Sequence, residues 1–474
     1  MRGLRGEREV IMADEVERVE TAQTAEDREL GTLPISKLFF KYSSIAFMGM
    51  LAQIIMVVIE GIIMGNGLGA HGLACVSIIM SVELFNVAMG SALAVGVSTV
   101  AGNRLGAGDA EGANHAFSQG FWLSVIMVLV LVVLAELFTP QLVAFLGATP
   151  DIFDDTVGAI RIFLLILPFC IVGQMLCGML RIDEKPKAAA TIQMVSAVIA
   201  IIWLAMSTFV FKFGVVGAGI YYGISIGIWS VVLYYFVGGK RSIFQVRMSD
   251  IKLDLPICLQ IIKVGMPLFL LQATSSVYTT VVNNELGKLG TSLDIAAFAV
   301  INGYIVYIIM MIVQAITYGV QPIAAYNAGA KAYGRLKELV KTSLAAQVVV
   351  IAALTVVLYL GAYPVCLLFA GDPELAAISA DATRIVILLG ALGWSSQVVA
   401  SYFECVEKVG IATVLGIARY LFFTIPAVFV LGNMMGVSGV WWAQPVADVF
   451  TFALTLAFVV FEVKRLGKLE HSEA

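Results

Sequence analysis

A chain of 474 residues with 60% hydrophobic and only 13% charged side chains, at a mean hydropathy of +0.94, is too apolar for a soluble protein; soluble chains average about 25% charged residues. The net charge of −4 gives no ground for a nucleic-acid partner, and three histidines (His71, His115 and His471, all expected in loops or tail) are too few for a metal cluster. Many windows exceed the ~20 apolar residues needed to cross a bilayer, and the short alternating segments of a β-barrel are absent. The expected fold class is an all-α polytopic membrane protein.

Residues 1–33 are charged and lack an apolar run, so they read as a flexible cytoplasmic tail, with Met12 as a possible second start. Twelve spans follow, at roughly 38–64, 72–101, 118–139, 156–180, 188–211, 215–237, 257–285, 293–324, 343–369, 377–403, 410–432 and 437–462. The polar segment Gly238–Leu255 divides them into an N-lobe (34–238) and a C-lobe (256–465), joined by a cytoplasmic linker (239–255) and followed by a short tail (466–474).

The two halves are copies. GNRLGAGDAEGANHAF at 102–117 has a fainter counterpart, AYNAGAKAYGRLKELV, 223 residues downstream. The same shift carries Gly106 onto Gly329, Pro150 onto Pro373, Arg161 onto Arg384 and Glu184-Lys185 onto Glu407-Lys408. A shift of 222 carries Lys41 onto Lys263, Gly65 onto Gly287 and Gly217 onto Gly439. A unit of six spans, an even number, starts each copy on the same side of the membrane. The halves are therefore parallel repeats facing each other across a central cleft, a geometry suited to alternating access.

Loop charge sets the orientation. Sixteen Lys and Arg fall in one set of loops and the C-tail, among them Arg104, Arg181, Lys185, Lys240, Arg241, Lys331, Arg335, Lys408 and Arg465; the opposite set holds Lys212 and Lys288. The positive-inside rule puts both termini in the cytoplasm of a cell whose inner membrane holds the protein. No GxxxxGK[ST] loop is present to power a pump, so energy should come from an ion gradient. The six cysteines (Cys75, Cys170, Cys177, Cys258, Cys366 and Cys405) form no CxxC and read as small buried hydrophobes.

Intramembrane polar residues are the candidates for function. Glu60, in MVVIEGIIMG, lies about 26 Å along the first span. An acid at that depth costs at least ~2.5 kcal/mol and usually faces a cavity or a partner, which fits ion or proton coupling; a hydrated or structurally paired Glu is the alternative. Glu83, in the second span, could attract a cationic substrate, share protons with Glu60, or bond a neighbouring helix. Spans seven and eight carry Gln272, Ser275, Ser276, Asn283, Asn284, Asn302, Gln314 and Gln321, side chains that line a cavity or join helices. Arg419 and Asp448, in spans eleven and twelve, are candidates for a buried structural pair. Arg161 and Arg384 match in position and read as structural, while Glu404 and Glu407, at the cytoplasmic end of span ten, are expected to be hydrated. The glycines of the GAGD and NAGAK loops read as turn residues.

LGTLPISKLFFKYSSIAFMGMLAQ, NRLGAGDAEGA, LRIDEKPKAAA, VVNNELGKLG, AAFAVINGYI, YGVQPIAAYNAGAKAYGRLKE, YFECVEKVG and GVSGVWWAQPVAD, in this order, resemble the MATE family (multidrug and toxic compound extrusion), in particular its bacterial MepA-like branch. The resemblance covers roughly residues 31–465. It implies twelve helices in two six-helix lobes, and export of amphipathic, often cationic, compounds in exchange for protons or sodium ions. No cofactor beyond that coupling ion is implied; the partners are the bilayer and small substrates, with the monomer as the working unit. Similar proteins carry an acid on the first helix as the ion-coupling residue, and Glu60 occupies that position. This chain departs from the family pattern at Ala200 and Leu204 on the fifth helix, where many relatives have Asn and Asp; at Gly303, often Arg; and at Glu404, usually Gln. Three other readings remain: a flippase for lipid-linked saccharides of the same superfamily; a membrane enzyme, which the scarcity of clustered acid–base residues disfavours; and a non-transporting scaffold, which the intramembrane acids argue against.

Overall fold

The computed structural model describes residues 29–146, 150, 152–221, 232–233, 235–236, 242–370 and 373–473. Among them, ten helices are long and apolar enough to cross a membrane. They are Ile35–Met56 and Phe85–Gly106 (spans one and two), Ala110–Leu137 (three), Phe153–Ile182 (four), Pro186–Val210 (five), Leu255–Leu289 (seven), Leu293–Gly329 (eight), Tyr333–Leu360 (nine), Val409–Met435 (eleven) and Val437–His471 (twelve). Span ten is a broken one, Pro373–Val386 and Gly390–Cys405, bent by 52°. The expected sixth span falls largely outside the described residues, which show Gly214–Tyr221 at its start.

Several expectations need correcting. The backbone keeps helical turns over the 72 residues Ile35–Gly106, within which spans one and two are Ile35–Met56 and Phe85–Gly106 rather than helices parted by a loop. A straight helix of that length would reach about 108 Å. Its two ends nevertheless meet the same place: Asn327 Nδ2 donates to Leu30 O just before it, and Gly106 abuts Tyr326. Ile63 packs with Leu204 and Tyr221, and Cys75 with Ile160 and Phe163. The 72 residues are therefore not one straight rod, and the chain turns back on itself between its two ends.

The expected N-terminal tail is docked over its last residues. Leu30 is fully buried, its N–H donates to Glu184 Oε1 at 3.0 Å, and Arg335 Nη2 donates to the carbonyls of Leu30 and Leu33. The expected C-tail continues the last helix to Glu473. The linker is stitched to span three: Gln119 accepts from Asp254 N–H and donates to the carbonyls of Asp250 and Lys252, and Asn114 accepts from Gln245 N–H. His115 belongs to that helix rather than to a loop, 3.3 Å from Asp250 and 3.8 Å from Asp254.

The repeat is written in the backbone as well as in the sequence. Left-handed residues recur at matching positions: Gly108 and Lys331, Glu184 and Glu407, Gly214 and Gly436. The lobes meet through the same symmetry. A Cβ on Gly106 would lie 1.9 Å from Tyr326 O, and one on Gly329 would lie 1.7 Å from Asn103 O. The shift that carries Gly106 onto Gly329 also carries Asn103 onto Tyr326, so spans two and eight cross as a pseudo-twofold pair in backbone contact. Gly96 against Ile261, Gly265 against Ala92 and Gly319 against Ser43 extend the same close approach. Small residues are what allow membrane helices this proximity.

The hydrophobic core follows from that crossing. At the end of the molecule carrying Arg181, Lys185, Arg335 and Lys408, here called the basic face, one cluster joins both lobes, including Phe117, Ile182, Ile261, Tyr326 and Tyr402. Toward the opposite face the core divides. One cluster belongs to the N-lobe (Ile79, Leu93, Ile160, Phe163) and a separate one to the C-lobe (Tyr278, Val282, Phe298, Trp441). The molecule is shut at its basic face.

Candidate functional site

Two of the candidate residues are delivered to one place by irregular helix. Span eight widens to a π-helix over Ile301–Val306, and span eleven does so over Ala418–Thr424. Such turns shift the facing of side chains and concentrate at functional sites. Asn302 and Arg419 sit in these two segments and line a single C-lobe cavity with Tyr278, Trp394, Tyr420 and Gln444.

Arg419 is buried, and Nε donates to Asp448 Oδ1 at 3.0 Å while Nη2 donates to Oδ2 at 3.4 Å. Gln444 Nε2 also donates to Asp448 Oδ1, at 3.0 Å. The guanidinium lies over the Trp394 ring, 4.0 Å from its centroid, a cation–π contact. Its remaining nitrogen, Nη1, is buried with no hydrogen-bond partner among the described residues. The Tyr278 and Tyr420 rings stack at 5.0 Å beside it. This cavity is neutral as a whole, walled by flat aromatic surface, with one donor left to offer.

The other candidates are dispersed. Glu60 lies in the helical stretch whose side chains are outside the described residues. Glu83 is half-buried and accepts from Asn86 Nδ2 on its own helix at 2.9 Å. Gln272 and Asn283 are half-buried and Asn284 exposed along span seven. At the positions where relatives carry polar residues, Ala200 and Leu204 pack in an apolar cluster with Ile63 and Tyr221.

Glu404 departs most from expectation. It is 3% exposed rather than hydrated, and no hydrogen bond or ion pair reaches its carboxyl from the described residues. The helix places it where neighbouring spans seven, eight and eleven close over it, which its nearness to a charged loop hid from sequence reading. Glu407, three residues on, is exposed and reaches across the lobes: Asn103 Nδ2 donates to it at 2.8 Å and Gln260 Nε2 at 2.9 Å. Lys408 pairs with the buried Glu462, and burial pushes its ammonium down against that partner's pull. On the N-lobe side, Arg181, the sequence mate of Glu404, is buried over the Tyr318 ring at 3.7 Å.

Comparisons with known proteins agree with this architecture. The MatE family profile matches residues 45–206 and 267–452. The multidrug export protein MepA of Staphylococcus haemolyticus (strain JCSC1435) is 24% identical over 433 residues, covering 91% of this chain and 94% of the relative. MepA of Staphylococcus aureus (strain MRSA252) is 22% identical over 445 residues, covering 93% and 96%. Among solved structures, a MATE crystal structure in complex with MaD3S matches with a TM-score of 0.86 at 19% identity, over 94% of this chain and 99% of that one. An outward-facing multidrug resistance MATE transporter of the MOP superfamily matches at 0.84 and 20%, over 94% and 100%. The fold is the two-lobe, twelve-helix arrangement of these transporters, and the protein is a membrane transporter rather than an enzyme. The chain belongs to the MatE family.

Proposed function

We propose that this protein exports amphipathic, cationic compounds across the cytoplasmic membrane in exchange for protons or sodium ions, by rocking its two lobes. The observation that carries the reading is the core that is single at the basic face and double at the opposite one. Two lobes hinged in this way can trade the closed end for the open one. The positive-inside rule makes the basic face cytoplasmic, so this conformation faces outward. The names of the relatives, multidrug export proteins, support the substrate class.

In this scheme substrate enters from the cytoplasm or inner leaflet when the basic face is open. The aromatic C-lobe cavity around Arg419 offers apolar walls to flat ligands, and Asn302 and Arg419 Nη1 offer donors to an acceptor group on them. Glu60 and Glu83 are the candidate acids on the first two spans, and Glu60 is assigned the coupling role. The coupling ion is the sole cofactor, and one chain suffices.

The test is efflux of a fluorescent organic cation from reconstituted vesicles under separately imposed proton and sodium gradients, wild type beside Glu60→Gln. Movement driven by one gradient and lost in the variant is the expected result. Gradient-driven export that persists in properly inserted Glu60→Gln removes Glu60 from the coupling path. No movement under either gradient, with translocation of a fluorescent lipid-linked saccharide instead, replaces this reading by lipid flipping.

A further inference from the structure

We infer that Glu404 is a proton-binding site of the C-lobe, loaded while the basic face is shut and emptied when that face opens. The inference rests on the transporter reading above. Its basis is a polar seam in the C-lobe, separate from the Arg419–Asp448 cluster. Glu404, Ser401 and Gln397 lie on one side of span ten, at helical spacings of three and four; Gln321, Thr317 and Gln314 face them from span eight at the same spacings. The two rows are cross-linked: Gln321 Nε2 donates to Ser401 Oγ, and Gln397 Nε2 to Gln314 Oε1, each at 3.2 Å. Glu404 stands at the foot of this seam in a small cavity floored by Pro267, Leu268 and Leu271. The seam rises two turns, about 10 Å, toward the middle of the membrane.

The carboxyl has no charge to balance it. Of the titratable groups on the elements around it, Glu407 is bonded to Asn103 and Gln260, and Lys408 and Arg465 are held by Glu462 of span twelve. Tyr402 donates to Glu462, Arg104 of span two to Gly112 O, and Arg419 of span eleven is committed to Asp448. Lys263 of span seven is exposed, and Tyr318 of span eight lies under Arg181. Cys405, next in sequence, is a buried thiol that Thr99 Oγ1 approaches at 3.5 Å. An unpaired carboxylate is strongly disfavoured in such a place, whereas the neutral acid can donate to a neighbouring oxygen.

Access to water is set by the lobes. Thr99 against Cys405 and Asn103 against Glu407 bring span two of the N-lobe onto the end of span ten that holds Glu404. Separating them exposes the carboxyl to water at the basic face, where it ionises and the proton passes to solvent. When the face shuts again, the carboxylate takes its proton from water on the opposite side, with Gln314, Gln397 and Ser401 supplying the polar lining between that side and Glu404. One proton is taken up and one released per cycle, with no other group consumed.

The test uses the full chain in vesicles, with Glu404→Gln and Glu404→Asp beside wild type. Infrared difference spectra should show a protonated-carboxyl band in wild type at neutral pH that Glu404→Gln lacks. Proton-driven export should fall about tenfold in Glu404→Gln and recover in Glu404→Asp, a loss within the usual range of coupling between sites. The band's absence from the wild-type-minus-Glu404→Gln difference, or proton-driven export unchanged in Glu404→Gln, overturns the inference. If wild type moves no cation at all, the exporter reading fails, while the infrared band still decides the protonation of Glu404.

Discussion

Replacing Gly329 by Ala tests the shut basic face directly. The added Cβ would lie 1.7 Å from Asn103 O, and contacts under 3.0 Å do not occur, so the backbones must part by about 1.3 Å. Neither partner can swing away, since the obstacle is main chain. Overpacking of this kind costs about 1–3 kcal/mol, and the cost falls only on the state in which spans two and eight touch. At 1.4 kcal/mol per tenfold, the population shut at the basic face drops roughly 5- to 150-fold relative to the open one. Cys405, fully buried at that seam, is the reporter. In a background retaining this cysteine alone, a membrane-impermeant maleimide presented at the basic face should label Gly329→Ala at least about fivefold faster than its parent. Gly158→Ala, where a Cβ meets nothing within 4 Å, is the control. Labelling of Gly329→Ala at the parental rate, in protein that still inserts and monodisperses, refutes the crossing as the contact that shuts the face.

Other outcomes follow from the same geometry. Arg419→Met or Asp448→Leu alone strands a buried charge and should cost about 3–5 kcal/mol, seen as a large fall in Tm in detergent, whereas the double replacement should recover most of it. Recovery of nothing by the double variant would mean that the pair's value lies elsewhere than in mutual neutralisation. Arg335→Ala removes three hydrogen bonds holding Leu30, Leu33 and Asn327; bonds to a charged donor are worth about 1.5–3 kcal/mol each, so limited proteolysis should cut near residue 30 faster, with transport of the inserted protein retained. Gln119→Ala unties the linker at three backbone groups and should lower Tm in detergent by the equivalent of about 1–3 kcal/mol.

Much of the architecture could be read from the chain. The duplication, the span count and the basic loops are periodic or compositional signals, which survive without a partner in view. What escaped depends on tertiary contact. Gly106 and Gly329 read as turn residues because GAGD and NAGAK look like loops; Gly108 is the left-handed one, while the other two are needed for backbone crossing. Glu404 looked hydrated because it precedes Glu407 and Lys408, yet three other helices cover it. Span ten breaks over Ile387–Leu389 without a proline, with only Gly390 and Gly393 beyond it as a weak local mark. Arg419 and Asp448 were legible as partners because charges in apolar helices must find each other, but the π-helical turn that brings Arg419 beside Asn302 leaves no mark in composition.

The recurring left-handed turns bear on how the two halves divided their labour. Glu184 and Glu407 hold the same strained backbone angle, at φ 59° and 57°, where glycine would be easier by about 1–2 kcal/mol. Each keeps a carboxylate there and uses it as a clasp, but on different things. Glu184 holds Leu30, whose carbonyl is gripped by Arg335 of the other lobe; Glu407 holds Asn103 of span two directly. A duplicated hinge has thus become two unequal catches, one fastened through a strap and one fastened face to face. Cutting the strap before residue 34 should release the first and leave the second closed, so the two sides of the doorway can be unlatched one at a time.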